Sequence, residues 1–200
     1  MTSAITIALR TTAVTLVLTG LVYPLAVTGL AQLIFPGAAN GSLVRDDTGR
    51  VVGSELIGQA FAGSAYFQSR PSAAGEHGYD PLASGGSNLG PTSQKLRDRI
   101  ASDLQRLKEQ NPEASGVVPD ELVTSSASGL DPHISPATAR FQVPRVASAR
   151  GVTAARIRAV VEEHTEGCTF GILGEPRINV LALNLALNRQ FGEPSTRRAE

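Results

Sequence analysis

The stretch TTAVTLVLTGLVYPLAVTGLAQLIF, residues 11–35, contains no charged residue. At about 1.5 Å of rise per residue, a helix of this length measures about 37 Å, which exceeds the roughly 30 Å hydrocarbon core of a bilayer. The apolar part of a secretory signal usually has about 7 to 15 residues, and buried helices of soluble proteins rarely extend so far without a charge. A cleaved signal and a buried core helix stay as alternatives, but the stretch favours a transmembrane helix at 11–35.

The charges on either side of this stretch indicate its direction across the membrane. Arg10 precedes the stretch, whereas Arg45, the first basic residue after it, is followed at once by two aspartates. Because basic residues collect on the cytoplasmic side of a membrane, residues 1–10 are predicted to form a short cytoplasmic tail. Residues 36–192 would then form a periplasmic domain, and 193–200 a flexible tail.

Four residues inside the stretch favour contact with other membrane helices. Pro24 frees a backbone carbonyl that lipid cannot satisfy, which favours a neighbouring protein helix at that level. Thr15, Thr19 and Gly20 are small or carry a hydroxyl, and such residues permit close approach between helices. We therefore expect these four residues to be candidates for contact with membrane-embedded partners.

The composition of the 200-residue chain excludes several classes of function. Its 18 basic and 18 acidic residues balance, and only 4% of its residues are aromatic with no tryptophan, which argues against nucleic acid as the main partner. The single cysteine, Cys168, cannot form an internal disulfide and cannot supply a zinc or iron–sulfur site. We expect no metal or cofactor to be held by this chain.

The domain after the span is predicted to mix helices and short strands, an α/β fold. Short strands are expected at 42–44 and 51–52, on either side of a turn. The next forty residues, 57–96, show little periodicity, and long irregular segments inside a domain are usually functional or disordered. Their aromatic residues argue against disorder. A helix begins after Thr92 or Ser93, with an apolar stripe at Leu96, Ile100, Leu104 and Leu107, and ends at Asn111 and Pro112.

The C-terminal part shows further helical and strand patterns. A connector with one helical turn precedes 135–151, where Pro144 predicts a turn of helix followed by a second helix that begins at the proline. Residues 153–167 repeat an amphipathic helical pattern that Gly167 closes. TFGILG and PRINV, within 169–180, are typical of two strands around a turn, and the alanine and leucine content of LALNLALNR, 181–189, favours helix.

Catalysis by a nucleophile has little support in this sequence. The histidines His77, His133 and His164 are far apart, and no G-x-S-x-G motif is present. His164 falls beside an apolar helix stripe, which favours a packing role. Lys95 and Lys108, the only lysines, lie on a helix of mixed charge. A membrane-anchored periplasmic serine hydrolase stays as the alternative function.

A glycine-rich run, SGGSNLGP at residues 84–91, has the composition of a phosphate-binding loop. Gly85, Gly86, Ser87 and Asn88 are weak candidates for nucleotide contact through their backbone N–H groups. A Walker A loop requires lysine after its last glycine, and Pro91 occupies that position. Turns explain the same residues, and a site outside the membrane would not meet ATP.

Several distinctive motifs resemble one protein family. They are GSAYFQSRPSAAG at 63–75, YDPLASGGSNLGPTSQKL at 79–96, the run that contains SSASGLDPHISP at 125–136, and INVLALNLAL at 178–187. In this order they resemble the C subunit of the bacterial Kdp potassium-transporting ATPase, the KdpC family. The resemblance covers the chain from the membrane span to about Asn188.

The resemblance implies a single-pass protein of the bacterial inner membrane with a periplasmic domain. It implies assembly with a channel-like potassium-binding subunit, a P-type ATPase subunit and a small fourth subunit, in a complex that uses ATP to import potassium. This chain lacks a D-K-T-G-T phosphorylation loop and a T-V-G-Y-G filter, so its partners would handle ATP and K⁺. The family is also described as a catalytic chaperone that raises the ATP affinity of the ATPase subunit.

A docking role agrees better with a domain held outside the cytoplasm. The irregular segment from 63 to 90 would then cover the outer face of the channel-like subunit. Aromatic residues and arginine are favoured at the centres of interfaces, so Tyr66, Phe67, Arg70 and Asn88 are candidates for contact with that subunit. Packing inside the domain is the alternative role for these four residues.

Overall fold

The computed structural model describes residues 2–194, so the predicted tail from 195 onward lies outside the described residues. The described chain divides into two compact units, residues 2–43 and 44–194. The first contains the one helical stretch, among the residues described, that is long and apolar enough to cross a membrane. This stretch, Ser3–Ile34, has a mean hydropathy of 1.9, and none of it is buried within the protein.

The candidate membrane-spanning stretch consists of two α-helices joined by a π-helical turn. Helix α1 spans Thr2–Val17, the π-helical turn spans Leu18–Val22, and helix α2 spans Tyr23–Ile34. Pro24 lies in the first turn of α2, where the fixed φ of proline is compatible with a helix. The π-helical turn lies just before the proline, and the chain is helical on both sides of it. A short helix, α3 at Pro36–Ala39, follows.

Two short strands follow α3, close to the positions that the sequence predicts. Strand β1, Leu43–Arg45, pairs with β2, Val51–Ser54, across a turn that the carboxylate of Asp46 holds by accepting hydrogen bonds from the N–H groups of Thr48 and Arg50. Residues 55–93, called here the loop segment, contain no helix or strand. The predicted long irregular segment is therefore confirmed.

The helices of the second unit follow the loop segment. Helix α4, Gln94–Gln110, begins after Ser93, whose side chain accepts a hydrogen bond from the N–H of Leu96, and ends before Asn111, as predicted. A 3₁₀ turn, Asp120–Leu122, lies in the connector. The remaining elements are β3 at His133–Ile134, α5 at Pro136–Arg150, α6 at Ala154–Glu163, β4 at Ile178–Asn179 and α7 at Val180–Phe191. The structure confirms the mixture of helices with few strands and the helical state of 181–189.

The core of the second unit is built mainly from the last three helices. Helices α5, α6 and α7 contribute most of a buried cluster that includes Val146, Ile157 and Leu183, and Phe67 of the loop segment completes it. A second, smaller cluster joins α4 to the connector and to Phe141. Phe67 thus shares a core with helices that begin more than sixty residues later in the sequence.

The predicted break at Pro144 is wrong. Helix α5 runs without interruption from Pro136 to Arg150 and carries Pro144 in its interior. Proline already has a helical φ, and it removes only the hydrogen bond to the carbonyl four residues earlier. That residue, Arg140, lies on the exposed side of the helix, where a carbonyl without its helical partner costs less than in the core.

The predicted pairing of two strands within 169–180 is also wrong. TFGILG does not pair with PRINV as two strands: isolated bridges join Glu166 to Arg177 and Thr169 to Leu173. Strand β4 pairs instead with β3, antiparallel, with Ile134 opposite Ile178. Both isoleucines are buried, whereas TFGILG is exposed. Core packing therefore favours the pairing of β4 with distant β3 over pairing with the nearby TFGILG. Helix α6 likewise ends at Glu163, before Gly167, because the chain enters this hairpin.

Candidate functional site: a loop segment anchored by helix side chains

A buried asparagine in α7 holds the loop segment at Phe67. The side chain of Asn184 accepts a hydrogen bond from the N–H of Phe67 and donates one to its carbonyl, both at 2.9 Å. Asn184 is 1% exposed and Phe67 is completely buried. A buried backbone without partners is strongly unfavourable. The carboxamide therefore supplies the two backbone hydrogen bonds that a neighbouring strand would supply in a sheet.

A glutamine in α5 repeats this arrangement one residue further along. The side-chain oxygen of Gln142 accepts from the N–H of Gln68 at 2.8 Å, and its amide nitrogen donates to the carbonyl of Gln68 at 3.1 Å. Two successive residues of the loop segment are thus fixed by carboxamides from two different helices. This double attachment sets the position of the residues on either side.

Two arginines of α5 bind the carbonyls that precede Phe67. The Nη1 of Arg145 donates to the carbonyls of Ser64 at 2.7 Å and Tyr66 at 3.0 Å, and the Nε of Arg150 donates to that of Ala65 at 2.7 Å. Burial lowers the pKa of Arg145 to about 10, which still leaves it charged at neutral pH. Because a charged donor binds a carbonyl more strongly than a neutral one, the backbone is held rigidly here.

A serine and a tyrosine close the next turn of the loop segment. The hydroxyl of Ser72 accepts hydrogen bonds from the N–H groups of Ala74 and Tyr79 and donates to the carbonyl of Gly129 at 2.6 Å. The Tyr79 hydroxyl donates to the carbonyl of Arg70, and burial raises the pKa of this tyrosine. The hydroxyl consequently stays protonated, as its role of donor requires.

The glycine-rich run packs against the loop around Gly129. The N–H of Gly85 donates to the carbonyl of Ser128 at 2.8 Å, so one amide of the candidate phosphate loop already has an internal partner. A side chain at Gly86 would meet the carbonyl of Ala127 at 3.0 Å. These contacts assign both glycines a role in close packing between two loops. Asn88 is exposed, with a left-handed φ of 51°.

Comparison with known proteins identifies the family. Residues 5–189 match the family described as KdpC: K⁺-transporting ATPase, c chain. A potassium-transporting ATPase KdpC subunit from Myxococcus xanthus is 68% identical over 185 residues, which cover 92% of this chain and 87% of that protein. Proteins of the same name from Koribacter versatilis and Nitratidesulfovibrio vulgaris are 54% and 52% identical, over 93% and 94% of this chain and 94% and 96% of their own lengths. This chain belongs to the KdpC family.

In the structure of this KdpC-family chain, the four predicted interface residues of the loop segment differ in their burial. Phe67 is part of the core, so its side chain packs inside the domain, which was the alternative role. Arg70 is half-buried and forms an ion pair of 3.5 Å with Asp131. Tyr66 is half-buried beside Arg150, whose guanidinium lies 5.2 Å from the ring centroid. Only Asn88 is fully at the surface among the four.

The four candidates in the candidate membrane-spanning stretch of this KdpC chain are all exposed. Thr15, Thr19, Gly20 and Pro24 lie on the surface of the helix, and the hydroxyl of Thr19 donates to the carbonyl of Thr15 at 2.8 Å. Gly20 lies within the π-helical turn, and a side chain there would meet nothing within 4 Å. Within the part of the chain that the structure describes, no steric contact therefore accounts for a glycine at this position.

Two of the three histidines of this KdpC chain take part in local contacts. His133 lies 3.5 Å from the Asp131 carboxylate, and the ring of His164 contacts the carbonyl of Val160 at the end of α6. His77 is exposed. Within residues 2–194, no group of three or more histidine, cysteine, aspartate or glutamate side chains has the geometry to hold a metal ion.

Sequence reasoning missed the residues that anchor the loop segment: Gln142, Arg145, Arg150 and Asn184. A signal for them exists in the sequence. Gln142 and Arg145 are polar residues within the stretch FQVPRVA, and Asn184 interrupts LALNLAL, at positions where an amphipathic helix would place core residues. Polar residues on an apolar helix face indicate a buried partner, but they do not identify it.

Proposed function

We propose that this chain is a non-catalytic accessory subunit of an ATP-driven, high-affinity potassium uptake complex, which it helps to assemble and to couple. The observation that carries the proposal is the match of nearly the whole chain to subunits named as parts of a potassium-transporting ATPase. The partners would be a channel-like potassium-binding subunit, a P-type ATPase subunit and a small fourth subunit. ATP and K⁺ would bind to these partners.

The two units of the chain suit two kinds of contact. The exposed apolar stretch with its π-helical turn supports packing against partner helices inside the bilayer. The anchored loop segment supports contact with the channel-like subunit, because a rigid backbone loses little entropy on binding. In this arrangement residues 1–10 are cytoplasmic, 11–35 cross the inner membrane and 36–192 form the periplasmic domain.

Purification of the complex tests the assembly role. All four subunits are co-expressed with an affinity tag on this chain, and membranes are extracted in a mild detergent. We expect the channel-like and ATPase subunits in constant ratio with this chain, together with K⁺-stimulated ATPase activity. Removal of this chain should abolish potassium uptake at low external potassium. Recovery of this chain alone, or uptake that persists without it, would contradict the proposal.

An active-site serine label separates this function from the alternative of a serine hydrolase. We expect no serine of the purified chain to react in stoichiometric amount. Complete modification of one serine by a fluorophosphonate would favour the hydrolase instead.

The only cysteine of the chain tests the orientation without engineering. Cys168 lies in the second unit and is half-buried. We expect a membrane-impermeant maleimide to label it in intact spheroplasts. In a Cys168→Ser background, a cysteine introduced at exposed Ser3 should react only after the membrane is opened. The reverse pattern would contradict the periplasmic position of the domain.

A further inference from the structure

Three large apolar side chains project from the hairpin that follows α6. Phe170 is 89% exposed, Ile172 is 82% exposed and Leu173 is 57% exposed. These three residues, called here the apolar tip, lie within the four consecutive positions 170–173, and Gly171 fills the remaining position. Single exposed apolar residues are normal on protein surfaces, but a cluster of this kind marks an interaction site.

Backbone hydrogen bonds hold the apolar tip in a fixed shape. Thr169 and Leu173 exchange two hydrogen bonds, of 2.8 and 2.9 Å, between their N–H and carbonyl groups. Further down the hairpin, Glu166 and Arg177 exchange two more, of 2.9 and 3.0 Å, and their side chains form an ion pair of 3.0 Å. The tip is therefore an ordered projection, which a partner can bind at little entropic cost.

The conformation of Phe170 is unfavourable for the isolated domain. Its φ of 54° lies in the left-handed region, which glycine, asparagine and aspartate tolerate far better than phenylalanine. The side chain is almost fully in solvent, so its burial within the domain does not offset this strain. Strain that local packing does not offset is typical of residues that serve a function.

The charge of the hairpin indicates whether the apolar tip binds a protein or a lipid surface. The hairpin itself, residues 164–177, contains two glutamates and one arginine, a net charge of −1 with His164 neutral, and Glu162 and Glu163 at the end of α6 adjoin it. An anionic bilayer surface repels such a segment, whereas helices and loops that insert into bilayers usually carry lysine and arginine beside their apolar residues. A protein surface with an apolar recess and a basic rim complements the segment in both respects.

We propose that the apolar tip inserts into an apolar recess with a basic rim on another subunit of the same complex, outside the bilayer. This inference rests on the proposed function as an assembly subunit. Phe170 is the central anchor, with Ile172 and Leu173 beside it and the glutamates at the edge. Such a distribution, apolar at the centre and charged at the rim, is that of ordinary protein interfaces.

The substitution Phe170→Asn tests the proposal without harm to the fold. Asparagine accepts the left-handed conformation, so the domain should be as stable as the wild type or more so, and Phe170→Gly offers a second variant with the same advantage. The matched control is Val117→Asn, which replaces an apolar residue that is 92% exposed elsewhere in the same domain.

The measurement is the rate at which the purified four-subunit complex loses this chain after dilution in detergent. We expect Phe170→Asn to accelerate the loss about 10-fold or more, as removal of a central anchor does, and Val117→Asn to leave it unchanged. Equal rates for Phe170→Asn and wild type would overturn the inference, as would equal acceleration in both variants. If the wild-type chain does not associate at all, the proposed function itself fails.

A tryptophan at the tip tests the lipid alternative, since the chain contains no other tryptophan. The full-length Phe170→Trp variant is reconstituted alone into vesicles of anionic phospholipid that contain brominated acyl chains. We expect a solvent-exposed emission without quenching by bromine. Blue-shifted, quenched emission would show that the tip enters the bilayer, and it would overturn the inference.

Discussion

The carboxamide of Asn184 binds both the N–H and the carbonyl of Phe67, across 117 residues of sequence. This pair attaches an irregular segment to the last helix of the fold. Together with Gln142, Asn184 supplies for the loop segment the hydrogen bonds that a neighbouring strand supplies within a sheet. The position of the loop segment thus depends on a few buried polar side chains.

The first prediction concerns this pair. Asn184→Leu leaves two buried backbone groups of Phe67 without partners, and we expect it to lower the free energy of unfolding by about 2–5 kcal/mol. Thermal unfolding in mild detergent, followed by circular dichroism, measures the change. Gln190→Leu, at an exposed position of the same helix, should change stability by less than about 0.5 kcal/mol. Equal effects of the two substitutions would contradict the anchoring role.

The second prediction concerns Gly129, which contacts two parts of the loop segment. A Cβ there would lie 2.6 Å from the carbonyl oxygen of Gly85 and 2.7 Å from the nitrogen of Ala74. Because both neighbours are backbone atoms, Gly129→Ala should destabilise the domain by about 3 kcal/mol or more. The loss of secondary structure on heating, followed by circular dichroism, measures this destabilisation.

Gly151 provides the control for Gly129, since its φ of 65° nearly equals the 68° of Gly129. A Cβ at Gly151 would meet nothing within 4 Å. Gly151→Ala should therefore show only the conformational cost of the left-handed region, about 1–2 kcal/mol. If both variants lose the same stability, crowding at Gly129 is not the cause.

The third prediction concerns pH. Burial raises the pKa of Glu121, but hydrogen bonds from the Thr138 hydroxyl, at 2.7 Å, and the Ser135 N–H, at 3.0 Å, outweigh burial and leave the pKa below its ordinary 4.5. This contribution to stability is therefore present above about pH 4.5 and is lost as the pH falls through the lowered pKa. Because Glu121 is partly exposed and solvent screens its interactions, the size of this contribution should be at most about 1 kcal/mol.

Unfolding as a function of pH between 7 and 3 checks this prediction. Glu121→Gln should flatten the acid side of the stability profile, because glutamine does not titrate. Glu113→Gln, at an exposed site, should leave the profile as in the wild type. A profile that both substitutions change alike would exclude Glu121 as the responsible group.

The fourth prediction concerns the candidate membrane-spanning stretch. Among residues 2–194, no neighbouring atom lies within 4 Å of a Cβ placed at Gly20 or at Gly29, so both Gly20→Ile and Gly29→Ile should leave the fold of the chain intact. If Gly20 contacts a partner helix closely, Gly20→Ile should weaken the assembled complex by about 1–2 kcal/mol, and Gly29→Ile should have little effect. Native gel electrophoresis of the extracted complex after graded heating would reveal the difference, and identical behaviour would exclude Gly20 from the contact.

Much of the secondary structure follows from local patterns. The apolar periodicity of α4 and its cap at Ser93 are visible in the sequence, and the structure confirms both. The pairing of β3 with β4 is not visible, because a two-residue strand has no pattern of its own. Pro144 misled the prediction because its effect depends on whether the freed carbonyl reaches water, which the sequence does not show.

The sequence by itself determined the uncharged stretch of 11–35, the irregular character of the loop segment and membership in the family, since these depend on composition and residue order along the chain. Only the tertiary structure decided that Phe67 lies in the core and that Asn184, Gln142 and Arg145 hold the loop segment. It also revealed Phe170 as a strained, exposed residue. The physical reason is that a buried polar group must find a partner somewhere in the fold, and hydrogen bonds between distant residues leave no periodic trace in the sequence.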